Sequence, residues 1–184
     1  MNQLEVAEER FERLFSTYAG RVLAYALRRV DADAAQDVTA DVFAVAWRRI
    51  DSVPHEEALP WLLAVARRTL ANQHRTARRQ RALANRLQLN MPAPQGPDIA
   101  ASGSGVLEAL ASLAERDREV LMLIAWDGLA SAEAAMVLGC SPVACRIRLH
   151  RARSRLRRAM DRSSSVESDR VPPRPQRLKE TPDA

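Results

Sequence analysis

Seven arginines lie between Arg146 and Arg158, and no Asp or Glu occurs from Ala134 to Met160. Guanidinium groups at that density bind phosphates and the edges of guanines, because the planar fork matches both and never loses its charge. A second basic set lies upstream, in PWLLAVARRTLANQHRTARR from Pro60. At helical spacing Trp61, Arg68, Asn72, Arg75 and Arg79 share one side, with Arg67, Ala71, His74 and Arg78 beside them. No acidic residue occurs between Ala58 and Pro97. An aromatic ring, an amide and several arginines beside a polar loop suit unstacked or single-stranded bases. Nothing comparable supports covalent chemistry. Paired carboxylates with a histidine, a phosphate-binding glycine loop and a nucleophile motif are all missing. Cys140 and Cys145 form no metal-ligand set with His55, His74 and His150. An enzyme is therefore not expected, nor a catalytic residue, a metal or a cofactor.

The elements that must hold the downstream arginines read as a helix-turn-helix. An apolar helix from Arg118 to Trp126 ends at Asp127-Gly128, and a short helix from Ser131 to Leu138 ends at Gly139, a residue suited to the left-handed position after a helix. Ser141-Pro142 then opens a third helix, with Pro in its first turn. On that helix Cys145, Leu149, Ala152 and Leu156 fall on one face. Val143, Ile147, His150, Arg151 and Ser154 fall on the opposite face, flanked by Arg146 and Arg148. The first face can pack into a small core, and the second can enter a major groove. Taken alone, the same pattern also fits an amphipathic helix with a solvated basic face.

The whole chain is all-α by the same reasoning. Alanine, leucine and arginine dominate its 184 residues, glycines number six, and alternation of β-branched residues is nowhere sustained. The net charge is +5, and Lys179 is the only lysine; such a balance suggests a polyanionic partner. No apolar run approaches membrane-spanning length and the start, MNQLEVAEERFERLF, does not resemble a signal peptide, so membrane insertion is not expected and a cytoplasmic location is. A reduced, buried Cys145 fits that location.

Four zones follow from composition. Residues 1–80 form one helical unit, residues 81–104 a flexible Pro/Gly/Ser linker, residues 105–161 a second helical unit, and residues 162–184 a polar, proline-rich tail expected to be disordered. In the first unit, a helix from about Val6 to Arg28 carries a core stripe of Phe11, Leu14, Phe15, Tyr18, Val22 and Tyr25. Asp33 is the expected N-cap of a second helix, Ala34 to Ile50, with Val38, Val42, Val45 and Ala46 inward. Asp51 to Leu59 is read as a loop. Asp37 and Asp41, four apart on one face, would repel DNA. They serve a protein partner, or they are solvated charges near a helix N-terminus.

Taken together these segments resemble the extracytoplasmic-function (group IV) sigma factors of bacterial RNA polymerase, over most of residues 10–160. DVTADVFAVAWRRID (Asp37–Asp51) is similar to the polymerase-binding part of sigma region 2. PWLLAVARRTLANQHR (Pro60–Arg75) is similar to the helix that melts the promoter and reads its −10 element. RDREVLMLIAWDGLASAEAAMVLGCSPVACRIRLHRARSRL (Arg116–Leu156) is similar to region 4, the reader of the −35 element. The order, the linker and the length together make the resemblance specific. It implies a chain that binds core RNA polymerase, through its β and β′ subunits, and promoter DNA; many relatives also have an anti-sigma factor. Asp37, Asp41, Phe43 and Trp47 would then belong to the polymerase-docking surface, with Phe43 and Trp47 divided between core and interface. The loop Asp51–Leu59 would hold a flipped −10 base. Trp61, Arg68, Asn72, Arg75 and Arg79 would hold the melted strand. Arg146, Ile147, Arg148, His150 and Arg151 would enter the −35 groove. Three departures bear on the −35 sequence: Val143-Ala144-Cys145 stands where the family has Gly-Thr-Val, Ile147 replaces a common polar residue, and Ala130 replaces a capping Ser, which leaves Ser131 to cap one residue later or the cap missing. The competing reading is a helix-turn-helix repressor or activator that acts on duplex DNA without the polymerase.

Overall fold

The computed structural model describes residues 3–86 and 105–169. Within them the chain is helical, in the order α1 (Gln3–Leu27), α2 (Ala32–Arg48), a 3-10 turn (Ile50–Ser52), α3 (Ala58–Arg86), α4 (Gly105–Ala111), α5 (Glu115–Ala125), α6 (Ser131–Leu138) and α7 (Pro142–Asp169). Helices α1, α2 and α3 pack on one another, and α4, α5 and α6 pack on α7.

Local chemistry sets most boundaries. Asp31, not Asp33, caps α2: its carboxylate accepts from the Ala34 N–H at 2.9 Å, which leaves Asp33 in the first turn, where the helix dipole favours a negative charge. At α6 the N-cap is Ala130, which offers no side-chain oxygen. Ser131 does not step in as the cap; instead the Glu133 carboxylate accepts from the Ala130 N–H at 2.6 Å, the reverse half of a capping box. Gly139 ends α6 at φ 65°, and Gly128 makes the same left-handed turn after α5 at φ 66°. Ser141 accepts from the Ala144 N–H at 3.2 Å and opens α7. The carbonyls at the end of α4 are taken by Arg118, whose guanidinium donates to Leu110, Ala111 and Leu113 at 2.8–3.2 Å.

Several expected boundaries shift. Helix α3 begins at Ala58 and continues to Arg86, so residues 81–86 are helix where a linker was expected; the rest of that stretch, 87–104, lies outside the described residues. Helix α7 likewise runs to Asp169, past residue 162 where the tail was expected to begin, and residues 170–184 lie outside the described residues. The Asp51–Leu59 loop is shorter, being framed by the 3-10 turn and the first turn of α3, and it buries Val53, Ala58 and Leu59. Arg10 reaches from α1 to the Val53 carbonyl and pins that loop.

The core is continuous across both halves. Val22, Tyr25, Val38, Val42, Leu62, Leu63 and Ala66 join Leu110, Val120, Leu123, Ala134, Cys145, Leu149 and Ala152 in one buried cluster. Helix α3 packs against α6. The two units expected to be separate therefore close on each other.

Candidate nucleic-acid interface

Helix α7 is anchored by one face. Cys145, Leu149 and Ala152 are buried and Leu156 is partly buried against them. Asp117, itself buried on α5, pairs with Arg155 of α7. Burial pushes the Cys145 thiol up, so it stays protonated and packs as a small apolar group. The opposite face is open: Val143, Arg146, Ile147, His150 and Arg151 are exposed, Ile147 at 48%. An apolar residue that exposed among guanidiniums offers a contact to a thymine methyl. Arg148 differs from its neighbours. It is half-buried and faces the cleft between the two halves, beside Arg67 and His74 of α3.

Helix α3 is anchored by Leu62, Leu63, Ala66 and Leu70. Arg68, Asn72, Arg75 and Arg79 are exposed, whereas Trp61 is half-buried against the core. Two of the arginines are occupied within the helix: Arg68 Nε donates to the Ala64 carbonyl at 3.0 Å, and Arg75 donates to the Asn72 side-chain oxygen at 2.6 Å.

The residues expected to meet a protein partner divide as their types suggest. Phe43 is 3% exposed, against Phe15 and Phe11 with ring centroids at 4.8 and 6.2 Å. Trp47 is 39% exposed and stands edge-on to Phe11 at 5.2 Å. Asp37 and Asp41 are both exposed, and Asp41 lines a groove between α2 and α3 together with Arg48 and Asn72. One residue expected in the core is outside it: Phe15 is 48% exposed. Its ring leans on Phe43 and leaves the other side to solvent, so Phe15 and Trp47 together form an aromatic surface patch. Val45, expected inward, is only partly buried and lines the same groove as Asp41.

A polar clasp between the halves had no counterpart in the sequence reading. From α1, Arg28 pairs with the Asp127 carboxylate and Arg21 donates to the Asp127 carbonyl, at the turn after α5. Arg29 meets Glu119 at 3.1 Å and Asp127 at 3.8 Å, and its guanidinium lies 3.5 Å over the Tyr25 ring. Tyr25 donates to Glu119 at 2.9 Å. Burial pushes the Tyr25 phenol up, against the pull of Arg29 and with a further rise from Glu119, so it remains a donor. Burial also pushes the Asp127 carboxyl up, opposed by Arg29 and Arg28. No local periodicity signals these partners, since Arg28 and Asp127 are 99 residues apart.

The comparisons agree with this geometry. The family model described as sigma-70 region 2 matches residues 14–80, and the one described as sigma-70, region 4 matches residues 105–156. RNA polymerase sigma factor CarQ of Myxococcus xanthus is 32% identical over 82% of this chain and 89% of its own. The chain belongs to the sigma-70 family. Within it, the likeness is to the extracytoplasmic-function group: ECF RNA polymerase sigma factor SigL of Mycobacterium tuberculosis is 29% identical over 78% of this chain and 85% of its own. The probable RNA polymerase sigma factor RfaY of Xanthomonas campestris is 32% identical over 82% of this chain, which spans only 40% of that longer relative. Among solved structures, the sigma factor RpoE of Bartonella quintana, in complex with the anti-sigma factor NepR, shares the fold with a TM-score of 0.63 at 24% identity, over 82% of this chain and 96% of that one. CnrH in complex with the cytosolic domain of CnrY gives a TM-score of 0.52 at 25% identity, over 86% of this chain and 88% of that one. Sigma region 2 thus spans most of α1, α2 and α3, and sigma region 4 spans α4 to α6 and the first half of α7. No described helix is long and apolar enough to cross a membrane.

Proposed function

We propose that this sigma factor acts in the cytoplasm, binds core RNA polymerase through its α1–α2 surface, and divides promoter reading between α7 and α3. The observation that carries the division is the open face of α7. Arg146, Ile147, His150 and Arg151 project from a helix-turn-helix, on a helix locked from behind, with no acidic residue between Ala134 and Met160 to repel DNA. A helix so presented fits a major groove, with guanidiniums on base edges and phosphates and Ile147 on a thymine methyl. Arg148 joins that face once the cleft opens.

On α3, Trp61 supplies a stacking surface, Asn72 an amide that can pair with a base edge, and Arg68, Arg75 and Arg79 positive charge for the melted strand. The loop Asp51–Leu59 would hold a flipped base. The chain supplies binding energy for melting and no covalent step; the chemistry of RNA synthesis belongs to the polymerase. On α1–α2, Asp37, Asp41 and Trp47 form the docking surface, with Phe43 beneath them as core. The likeness to RpoE, solved with the anti-sigma factor NepR, supports an anti-sigma partner for this chain as well.

Reconstituted transcription tests the reading. Purified protein is added to sigma-free bacterial core polymerase with sheared genomic DNA, and the RNA 5′ ends are sequenced. The expected outcome is discrete start sites that share one pair of upstream motifs. Tight binding to defined duplex sites without the polymerase, and no initiation with it, would instead identify a helix-turn-helix regulator.

A further inference from the structure

The cleft between the two halves holds an open-sided pocket of about 600 Å³, with His74 and Arg116 exposed at its edge; the size is ordinary for a small-molecule site. Its lining carries six arginines against two glutamates. Arg29 pairs with Glu119, Arg28 pairs with Asp127, and Arg118 is committed to the end of α4. That leaves Arg67 and His74 from α3, Arg116 from α5 and Arg148 from α7 around one space, against the single carboxylate of Glu115 at its exposed edge; none of the four basic side chains has an ion pair or side-chain hydrogen bond to other described residues. Like charges repel, and three guanidiniums from three helices gain nothing from one another by closing round a cavity. Arginines so arranged match the several oxygens of a chain of phosphates, each able to accept a forked pair of hydrogen bonds. Leu70 and Met122 line the same cavity, and give an apolar wall against which a base or sugar can rest.

We propose that this cleft binds a nucleoside polyphosphate, its phosphates held by Arg67, His74, Arg116 and Arg148. Such a ligand bridges the two halves, since its contacts come from both, and it stabilises the closed form by binding that form alone. A consequence that rests on the promoter reading is that an occupied cleft withholds Arg148 from DNA. The binding itself does not rest on it, and a failure of the transcription assay leaves the site standing.

The test is isothermal titration of the full chain with ATP, and in parallel with inorganic tripolyphosphate, both free of divalent metal. One saturable site is expected for ATP. The double variant R67E/R116E should weaken it by roughly tenfold or more, because two charge-assisted contacts are lost. The double variant R157E/R158E makes the same change in net charge on exposed α7 positions outside the cleft. It should weaken binding by less than about threefold, the scale of a screened surface charge. Circular dichroism verifies that both variants are folded. Equal weakening by the two variants would show attraction to a basic surface and overturn the site. So would the absence of saturable heat at millimolar ATP, or tripolyphosphate binding as tightly as ATP with no contribution from the nucleoside.

Discussion

The two arginine-bearing helices proposed to meet DNA differ in how much their exposed side chains are already engaged. On α7, Arg146, Ile147, His150 and Arg151 stand exposed with no hydrogen bond or ion pair to other described residues. On α3, Arg68 is folded onto its own backbone, Asn72 is tied to Arg75, and Trp61 is half-buried. A duplex groove has a fixed shape, and a helix can be prepared for it in advance. A melted strand has no fixed shape until it is held, so the side chains that hold it can rest on one another until bases displace them. On the proposed roles, α7 would give up side-chain rotamer freedom on binding but break no internal hydrogen bond, whereas α3 would exchange internal hydrogen bonds for new ones.

The largest expected effect tests whether the two helices share one fate. Leu123 is fully buried in the cluster that spans both halves. Leu123→Ala should cost about 2–5 kcal/mol of unfolding stability. In urea, fluorescence of Trp61 in α3 and of Trp126 after α5, each read in a variant lacking the other tryptophans, should change in one coincident transition. Separate midpoints would mean that the halves fold independently and that the shared core contributes little.

Next in size are paired substitutions that should separate the two roles. Arg146→Ala should weaken binding to −35 duplex by about 1–3 kcal/mol if it reads a base, with the loss concentrated at one position of the site. The same variant should bind a pre-melted −10 strand almost normally. Arg75→Ala should do the reverse: it should leave the duplex footprint intact and reduce the salt dependence of single-strand binding by about one ion. If either variant affects both templates equally, the division between α7 and α3 fails.

The smallest effect concerns the scaffold alone. Ala130 already has extended N-cap geometry, φ −66° and ψ 158°, without a side-chain acceptor. Ala130→Ser should therefore add about 0.5–1 kcal/mol, read as a rise in the denaturation midpoint, with −35 affinity unchanged. A loss of affinity would show that α6 bears on DNA directly.

What could be read from sequence was whatever is written in neighbouring residues. The span of α6, the left-handed turn at Gly139 and the start of α7 at Pro142 follow from caps and turn residues a few positions apart. The buried face of α7 follows from its period. Phe15 was misplaced because helical spacing marks the middle of an apolar stripe better than its edge, and Phe15 lies at the edge, on Phe43. Asp31 and Asp33 both have capping chemistry, and only the backbone geometry chooses between them. The continuation of α3 through residues 81–86 was hidden by the Pro/Gly-rich composition that follows. The clasp of Arg28 and Arg29 on Asp127 and Glu119, and the turning of Arg148 into the cleft, depend on how two distant helices meet, which no local pattern records.

Helix α3 ends at Arg86 and α4 begins at Gly105, so the chain between them sets an upper bound on how far those two ends can part. Drawn fully straight, residues 87–104 reach roughly 60 Å, from about 3.3 Å per residue. Along B-DNA, at 3.4 Å for each step of one strand, that is about 18 base pairs. What the backbone caps is the separation of two points: however far the halves part, the end of α3 at Arg86 and the start of α4 at Gly105 stay within that reach.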